Sequence, residues 1–197
     1  MNMNGFENQL NNLIRSRRST KPRLFNGDKI DDKIVWRILE NSNWAPNHGL
    51  TQPWRYKVFS SSGLGKLAEF QADWYRKSTP QEKFKPEKYE RMKTNILKSS
   101  HVIVICMERQ ESAKIPEIEE VEAVACSVQN MGLTAAAYGI CSFWGSGGLT
   151  YTEELKEFLN LQKKDKCLGY LYLGYSDSPT TESRRDPIEE KVEWIAE

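Results

Sequence analysis

Two groups of basic residues stand where the chain could grip an anion. Arg15, Arg17, Arg18 and Lys21 surround Ser19 in "RSRRSTK", and Arg184 and Arg185 lie near the end of the chain. Forked guanidinium donors beside a hydroxyl suit a phosphate-like head group, because charge-assisted hydrogen bonds are the strong ones. The same residues also read as a solvated basic helix end that complements the helix dipole. A third candidate is the glycine loop Gly145, Ser146, Gly147 and Gly148, where backbone amides can approach a flat ligand or a phosphate closely. It equally reads as a turn. It has neither the GxGxxG spacing nor a P-loop lysine, so it signals neither a Rossmann dinucleotide site nor a nucleoside triphosphatase.

The stretch "NWAPNHGLTQPW", Asn43 to Trp54, concentrates two prolines, a glycine and His48, one of only two histidines. His48 could act as a general base, yet no serine or cysteine nucleophile motif and no HExxH accompanies it, which leaves hydrolase chemistry little support. His101 reads as a strand-edge residue with a satisfied hydrogen bond. Cys106, Cys126, Cys141 and Cys167 show no CxxC spacing and three have apolar neighbours. They read as buried thiols rather than as a zinc or disulfide framework. Of the tryptophans, Trp44 and Trp144 each adjoin a candidate site, whereas Trp54 reads as the anchor of a strand.

The elements that position these residues follow from hydrophobic period. A helix through "FENQLNNLIRSR" carries Phe6, Leu10, Leu13 and Ile14 on one face and delivers the first basic group at its end. A second begins near Asp31, a plausible N-cap, carries Ile34, Ile38 and Leu39, and is stopped by Pro46. "WRYKVFS" alternates as a short strand, and "SGLGKLAEFQADWYRKS" follows as a helix. Residues 79–98 are highly charged, with a helical second half, and read as a mobile flap over a cleft rather than as core. "HVIVICM" is the continuous β-branched run expected of a strand buried on both faces, at the sheet centre.

The longest helix starts at Pro116, has acids in its first turns and a C-terminal cap at Gly139. Its apolar, Ala-rich second half predicts close neighbours all round, with a dimer interface among them. "CSFWGSGGLT" predicts a strand entering the glycine loop, "TEELKEFLNL" a helix capped by Thr152, and "KCLGYLYLGY" another buried strand. The tail from Ser176 is polar with a final amphipathic piece. Strands interleaved with helices predict an α/β or α+β sandwich, helices covering a central sheet, as one domain over residues 1–197.

With 28 basic against 27 acidic residues, the chain has no overall field for nucleic acid, and an anion site must be built locally. The N-terminus lacks the charge and apolar run of a signal peptide, and no apolar stretch is long enough to span a bilayer. A soluble, cytoplasmic protein is the expectation.

Four stretches in register resemble the FMN-dependent nitroreductase family, most closely its short single-domain bacterial members. "IRSRRSTK" is similar to the family's opening phosphate-binding motif, "NWAPNHGLTQPWRYKVF" to its Ala-Pro to Gln-Pro-Trp segment, "FWGSGGLT" to its late glycine loop, and "RRDPIEEKVEW" to its C-terminal basic motif. The resemblance implies a nitroreductase-like mixed-sheet αβα sandwich forming an intertwined homodimer, with two FMN molecules at the subunit interface. It implies that Arg17, Arg18 and Ser19 hold the FMN phosphate and ribityl chain and that Lys21 lies near the ring. Arg185 then supplies a second phosphate contact, with Arg184 beside it. Trp44, His48 and Gln52 reach the flavin across the dimer, and Trp144, Gly145 and Ser146 line its other side. The chain departs from the short members in two places: Gly145 stands where they carry an arginine, and one extra residue near Pro22 precedes "RLF".

The chemistry implied is ping-pong. Reduced nicotinamide, from NADH or NADPH, gives hydride to the flavin N5 and leaves, and a nitroaromatic, quinone or related electrophile then takes the electrons in the same pocket. No side chain is required as a dedicated acid or base, so no catalytic residue is named. A flavin-binding or redox-responsive protein without turnover is the alternative within this fold, and a dimer using its basic tips on another anion is a third.

Overall fold

The computed structural model describes residues 3–178 and 182–196; the predicted tail, Ser176 onward, therefore falls partly outside them at residues 179–181 and 197. Among the described residues, six α-helices surround one four-stranded sheet. The helices are α1 (Met3–Ser16), α2 (Asp32–Ser42), α3 (Ser62–Ser78), α4 (Pro86–Leu97), α5 (Glu117–Ala137) and α6 (Glu153–Phe158). The strands are β1 (Trp54–Ser60), β2 (His101–Met107), β3 (Cys141–Gly145) and β4 (Lys166–Gly174). The sheet order is β1-β2-β4-β3 and all three ladders are antiparallel. A single parallel bridge, Ser19 to Ser142, attaches the segment after α1 to the outer edge of β3.

Every residue of β2 is buried, as its unbroken apolar run requires, because helices pack on both faces of the sheet. Alternation along the strands divides the core. Ile103, Ile105, Met107, Leu171 and Leu173 face α2 and α5. Val102, Val104, Cys106, Cys167 and Tyr170 face α3, α6 and Ile96 of α4. Each fully buried aliphatic side chain contributes about 1.5–3 kcal/mol. The expected caps are present: Asp31 accepts from the Lys33 amide, Thr152 from the Leu155 amide, and Gly139 follows α5 in the left-handed region at φ 69°. Trp54 is buried, and its indole N–H donates to Asn43 Oδ1 at 2.9 Å, pinning the start of β1 to the end of α2.

Four expectations need correction. Residues 79–98 pack as a helical hairpin on α3: Ile96 is fully buried, Tyr75 stacks on Phe84, and Lys93 pairs with Glu69. The second half of α5 is not enclosed all round in the single chain, because Gln129 and Ala137 are exposed and Asn130, Leu133 and Ala136 are half-buried; the exposed stripe continues back through Cys126 and Glu122. Cys126 on that stripe is accordingly exposed, whereas Cys106 and Cys167 are buried. His101 has the satisfied hydrogen bonds expected of it, Nδ1 facing Ser100 Oγ and Nε2 facing Asp32 Oδ1, both at 3.0 Å, but it is buried at the start of the inner strand β2 rather than at an edge.

α1 is exposed from Gly5 to Ser16 except for half-buried Leu13, with Phe6 at 65% exposure, and residues 182–196 are exposed throughout, with Trp194 at 87%. No helix among the described residues is long and apolar enough to cross a membrane.

Candidate functional site

The basic segment after α1 is fixed to the sheet by the Thr20 amide, which donates to the Ser142 carbonyl at 2.9 Å. Arg17 is half-buried against α5, where a β-carbon on Gly132 would stand 3.5 Å from Arg17 Cδ. Its guanidinium meets no acidic partner among the described residues. Arg18 turns back onto the Arg15 and Arg17 carbonyls at 2.5 and 3.0 Å, reinforcing the end of α1, and Ser19 is exposed beside Ser142. Lys21 lines a cavity of about 340 Å³ together with Arg23, Arg91, Asn95 and Phe143.

Phe143 also walls a second cavity, of about 260 Å³, which the glycine loop borders through Gly145, Ser146, Gly147 and Gly148. Trp74 and Met92 close it from α3 and α4, and Tyr170 and Tyr172 rise into it from β4. The loop conformation depends on small residues. A β-carbon on Gly145 would lie 2.6 Å from Phe143, so a larger residue such as arginine has no room there while Phe143 keeps its place. Gly169, at φ 120°, leaves room for Trp144, whose indole donates to the Leu168 carbonyl at 3.0 Å. Gly147 donates its amide to Thr150 Oγ1 at 2.9 Å, closing the turn.

Two polar atoms buried in this second cavity, Gln71 Nε2 and the Tyr170 hydroxyl, form no hydrogen bond of good geometry among the described residues, although they lie close enough to influence one another. An unpaired buried donor of this kind is costly unless a ligand meets it. Burial pushes both phenols up, Tyr170 furthest and Tyr172 to about 12, with Gln71 partly offsetting the effect. An unfolded tyrosine ionises near pH 10. Between about 10 and 12 the unfolded chain therefore loses a proton that the folded chain keeps. The stability from Tyr172 is intact below that window and is lost as pH rises through it. Tyr172→Phe should flatten the alkaline decline in melting temperature relative to wild type, measured by thermal unfolding from about pH 9 to 11.5.

The remaining predicted residues lie elsewhere. Trp44 is 85% exposed, and His48 and Gln52 sit on the turn before β1, the opposite outer strand from β3. Three strand spacings, roughly 14 Å, separate those two strands. Arg185 is exposed on the tail, donating to Ser183 Oγ at 2.7 Å and to the Arg184 carbonyl at 2.8 Å. The single chain thus brings Arg17, Arg18, Ser19, Lys21, Trp144, Gly145 and Ser146 to one sheet edge, and it does not bring Trp44, His48, Gln52 or Arg185 to them. Arg91, Asn95 and Gln71 were missed by sequence reasoning. For Arg91 and Asn95 the available signal was their i, i+4 spacing in α4, which puts both on the face turned to Lys21.

A layered α/β protein with a groove along an edge strand, cationic at one end and glycine-walled at the other, is the class these observations define. Residues 14–175 match the model of the Nitroreductase family, and the chain belongs to that family. YfhC of Bacillus subtilis, provisionally named an NAD(P)H nitroreductase, is 28% identical over 183 residues, covering 92% of each chain. The crystal structure of a nitroreductase-like family protein from Bacillus cereus superposes with a TM-score of 0.83 at 28% identity, over 94% of this chain and 95% of that one. The FMN-dependent nitroreductase NfnB of Mycobacterium smegmatis, solved in complex with NADPH, shares the fold with a TM-score of 0.78 at 16% identity, over 97% and 100% of the two chains.

Proposed function

We propose that this chain is an FMN-dependent oxidoreductase that takes hydride from NADH or NADPH and reduces a nitroaromatic, quinone or related electrophilic acceptor. The observation that carries the reading is the groove along β3, which joins the cations Lys21, Arg23 and Arg91 to a glycine loop and to two buried polar atoms without a well-formed hydrogen bond among the described residues. That donor set fits a ligand with a phosphate at one end and a flat heteroaromatic ring at the other. When bound, FMN supplies the ability to accept a hydride from one substrate and pass it to the next.

The chain's own residues do the rest. Arg17 and Arg18, with the Ser19 hydroxyl, hold the phosphate and the polyol chain. Lys21, joined by Arg91 from α4, gives the groove a positive potential that favours a ligand gaining negative charge. Trp144, Gly145 and Ser146 wall the ring, and the apolar ring of Phe143 keeps water from the cavity floor. Because one pocket serves both substrates in turn, the kinetics are ping-pong, with parallel double-reciprocal lines.

The active form is a homodimer. The exposed apolar side chains of α1 and of the tail call for a covering surface, and a second copy brings Trp44, His48, Gln52 and Arg185 to a groove that the single chain leaves without them. The test is an absorption spectrum of purified protein loaded with FMN, followed anaerobically as NADH or NADPH is added. Flavin bands that bleach and return with a nitroaromatic or quinone support the reductase. Bands that persist leave a flavin-binding protein without turnover, and a protein that takes up no FMN overturns the reading.

A further inference from the structure

We infer that Glu119 is the positioning residue for His48, tying its Nδ1 and presenting Nε2 to the ligand. The inference rests on the flavin reading of this turn. His48 Nδ1 lies 2.5 Å from Glu119 Oε2, across 71 positions of sequence, between the turn before β1 and the first turn of α5. The turn itself is rigid. Gly49, Leu50 and Gln52 adopt φ of 60°, 54° and 45°, so two non-glycine residues are held in the left-handed region. The Gln52 amide donates to Asn47 Oδ1 at 2.9 Å, and a β-carbon on Gly49 would meet Ile115 at 2.9 Å. Backbone strain held in this way clusters at functional sites.

The first turn of α5 carries three acids, and each has its own partner. Glu117 pairs with Lys166 at 2.8 Å, and buried Glu120 pairs with Arg109, which also donates to the Ile115 carbonyl at 2.8 Å. Glu119 is the one that faces His48. The imidazole side chain is 63% exposed, so the ring is held at one nitrogen and open at the other. Nδ1–H donates to the carboxylate whether the ring is neutral or charged, which makes Nε2 the atom offered outward, an acceptor in the neutral ring and a donor in the cation.

The chain has two histidines, so protein carrying 15N-labelled histidine gives two imidazole spin systems, assigned with His48→Gln. In FMN-loaded wild type the His48 proton is expected on Nδ1. Glu119→Gln keeps an acceptor and should keep that tautomer. Glu119→Ala should move the proton to Nε2 and lower kcat/KM roughly tenfold at unchanged flavin content, the loss of one charge-assisted hydrogen bond. A wild-type proton on Nε2, or Gln and Ala variants that behave alike, overturns the inference, because a carboxylate serving only the helix dipole would be lost equally in both. The same spectra of flavin-free protein separate the two ideas: failure to bind FMN sinks the proposed function, while the tautomer result judges Glu119 alone.

Discussion

Arg17→Ala is expected to weaken FMN binding by an order of magnitude or more. The guanidinium stem lies against α5 at Gly132 and its charged head has no acidic partner among the described residues, so under the proposed function the substitution removes a phosphate donor without stranding a carboxylate. A charge-assisted hydrogen bond is worth roughly 1.5–3 kcal/mol, and about 1.4 kcal/mol corresponds to tenfold in affinity. Fluorescence titration of flavin-free protein measures the change directly, with the melting temperature as the control for folding. Arg17→Lys should recover only part of the loss, since an ammonium cannot make the forked contact. Unchanged flavin affinity in the alanine variant would remove Arg17 from the phosphate site.

Gly169→Ala should be the most damaging single methyl in the sheet. At φ 120° an L side chain is strained, and the new β-carbon would lie 2.7 Å from the Gly145 carbonyl oxygen and 2.9 Å from Trp144 Nε1. Backbone strain and overpacking together cost roughly 3 kcal/mol. For a chain of this length that lowers the melting temperature by about 6–12 °C. Gly65→Ala is the contrasting case. It sits within α3 with nothing within 4 Å of its β-carbon, and it should stabilise by about 0.5–1 kcal/mol. Differential scanning calorimetry of both variants checks the pair. Equal and small shifts would show that the glycine at the bulge between β2 and β4 is not required by Trp144.

Local order was legible in the sequence and long-range pairing was not. The run "HVIVICM" announced a strand buried on both faces because it is short, continuous and rich in β-branched Val and Ile, and β2 is that strand. Asp31, Thr152 and Gly139 marked helix ends because capping is written in adjacent residues. The stretch from Thr79 to Lys98 misled because its few apolar residues, Phe84, Tyr89, Met92 and Ile96, are diluted by Lys and Glu, so their shared face toward α3 was hidden. Cys126 misled because an apolar neighbourhood in sequence need not be one in space.

Within the candidate site, the basic triplet and the glycine loop were visible as motifs. Their meeting through the Ser19 to Ser142 bridge was not, since it joins segments more than a hundred positions apart. Arg91, Gln71 and Glu119 belong to the same category. Each is one charged or polar residue among many on a helix, and only the packing of that helix singles it out.

The strand order also has a bearing on biosynthesis. β2 has β1 behind it as a partner, but its other edge waits for β4, and all of α5, β3 and α6 lie between them in the chain. A ribosome adding about 5–20 residues per second leaves that edge of the most apolar strand open for several seconds. During that interval the nascent chain carries an unpaired, β-branched template of the kind that recruits other chains. Nascent-chain yield should therefore depend on how quickly synthesis reaches β4 and on which chaperones cover β2 until then.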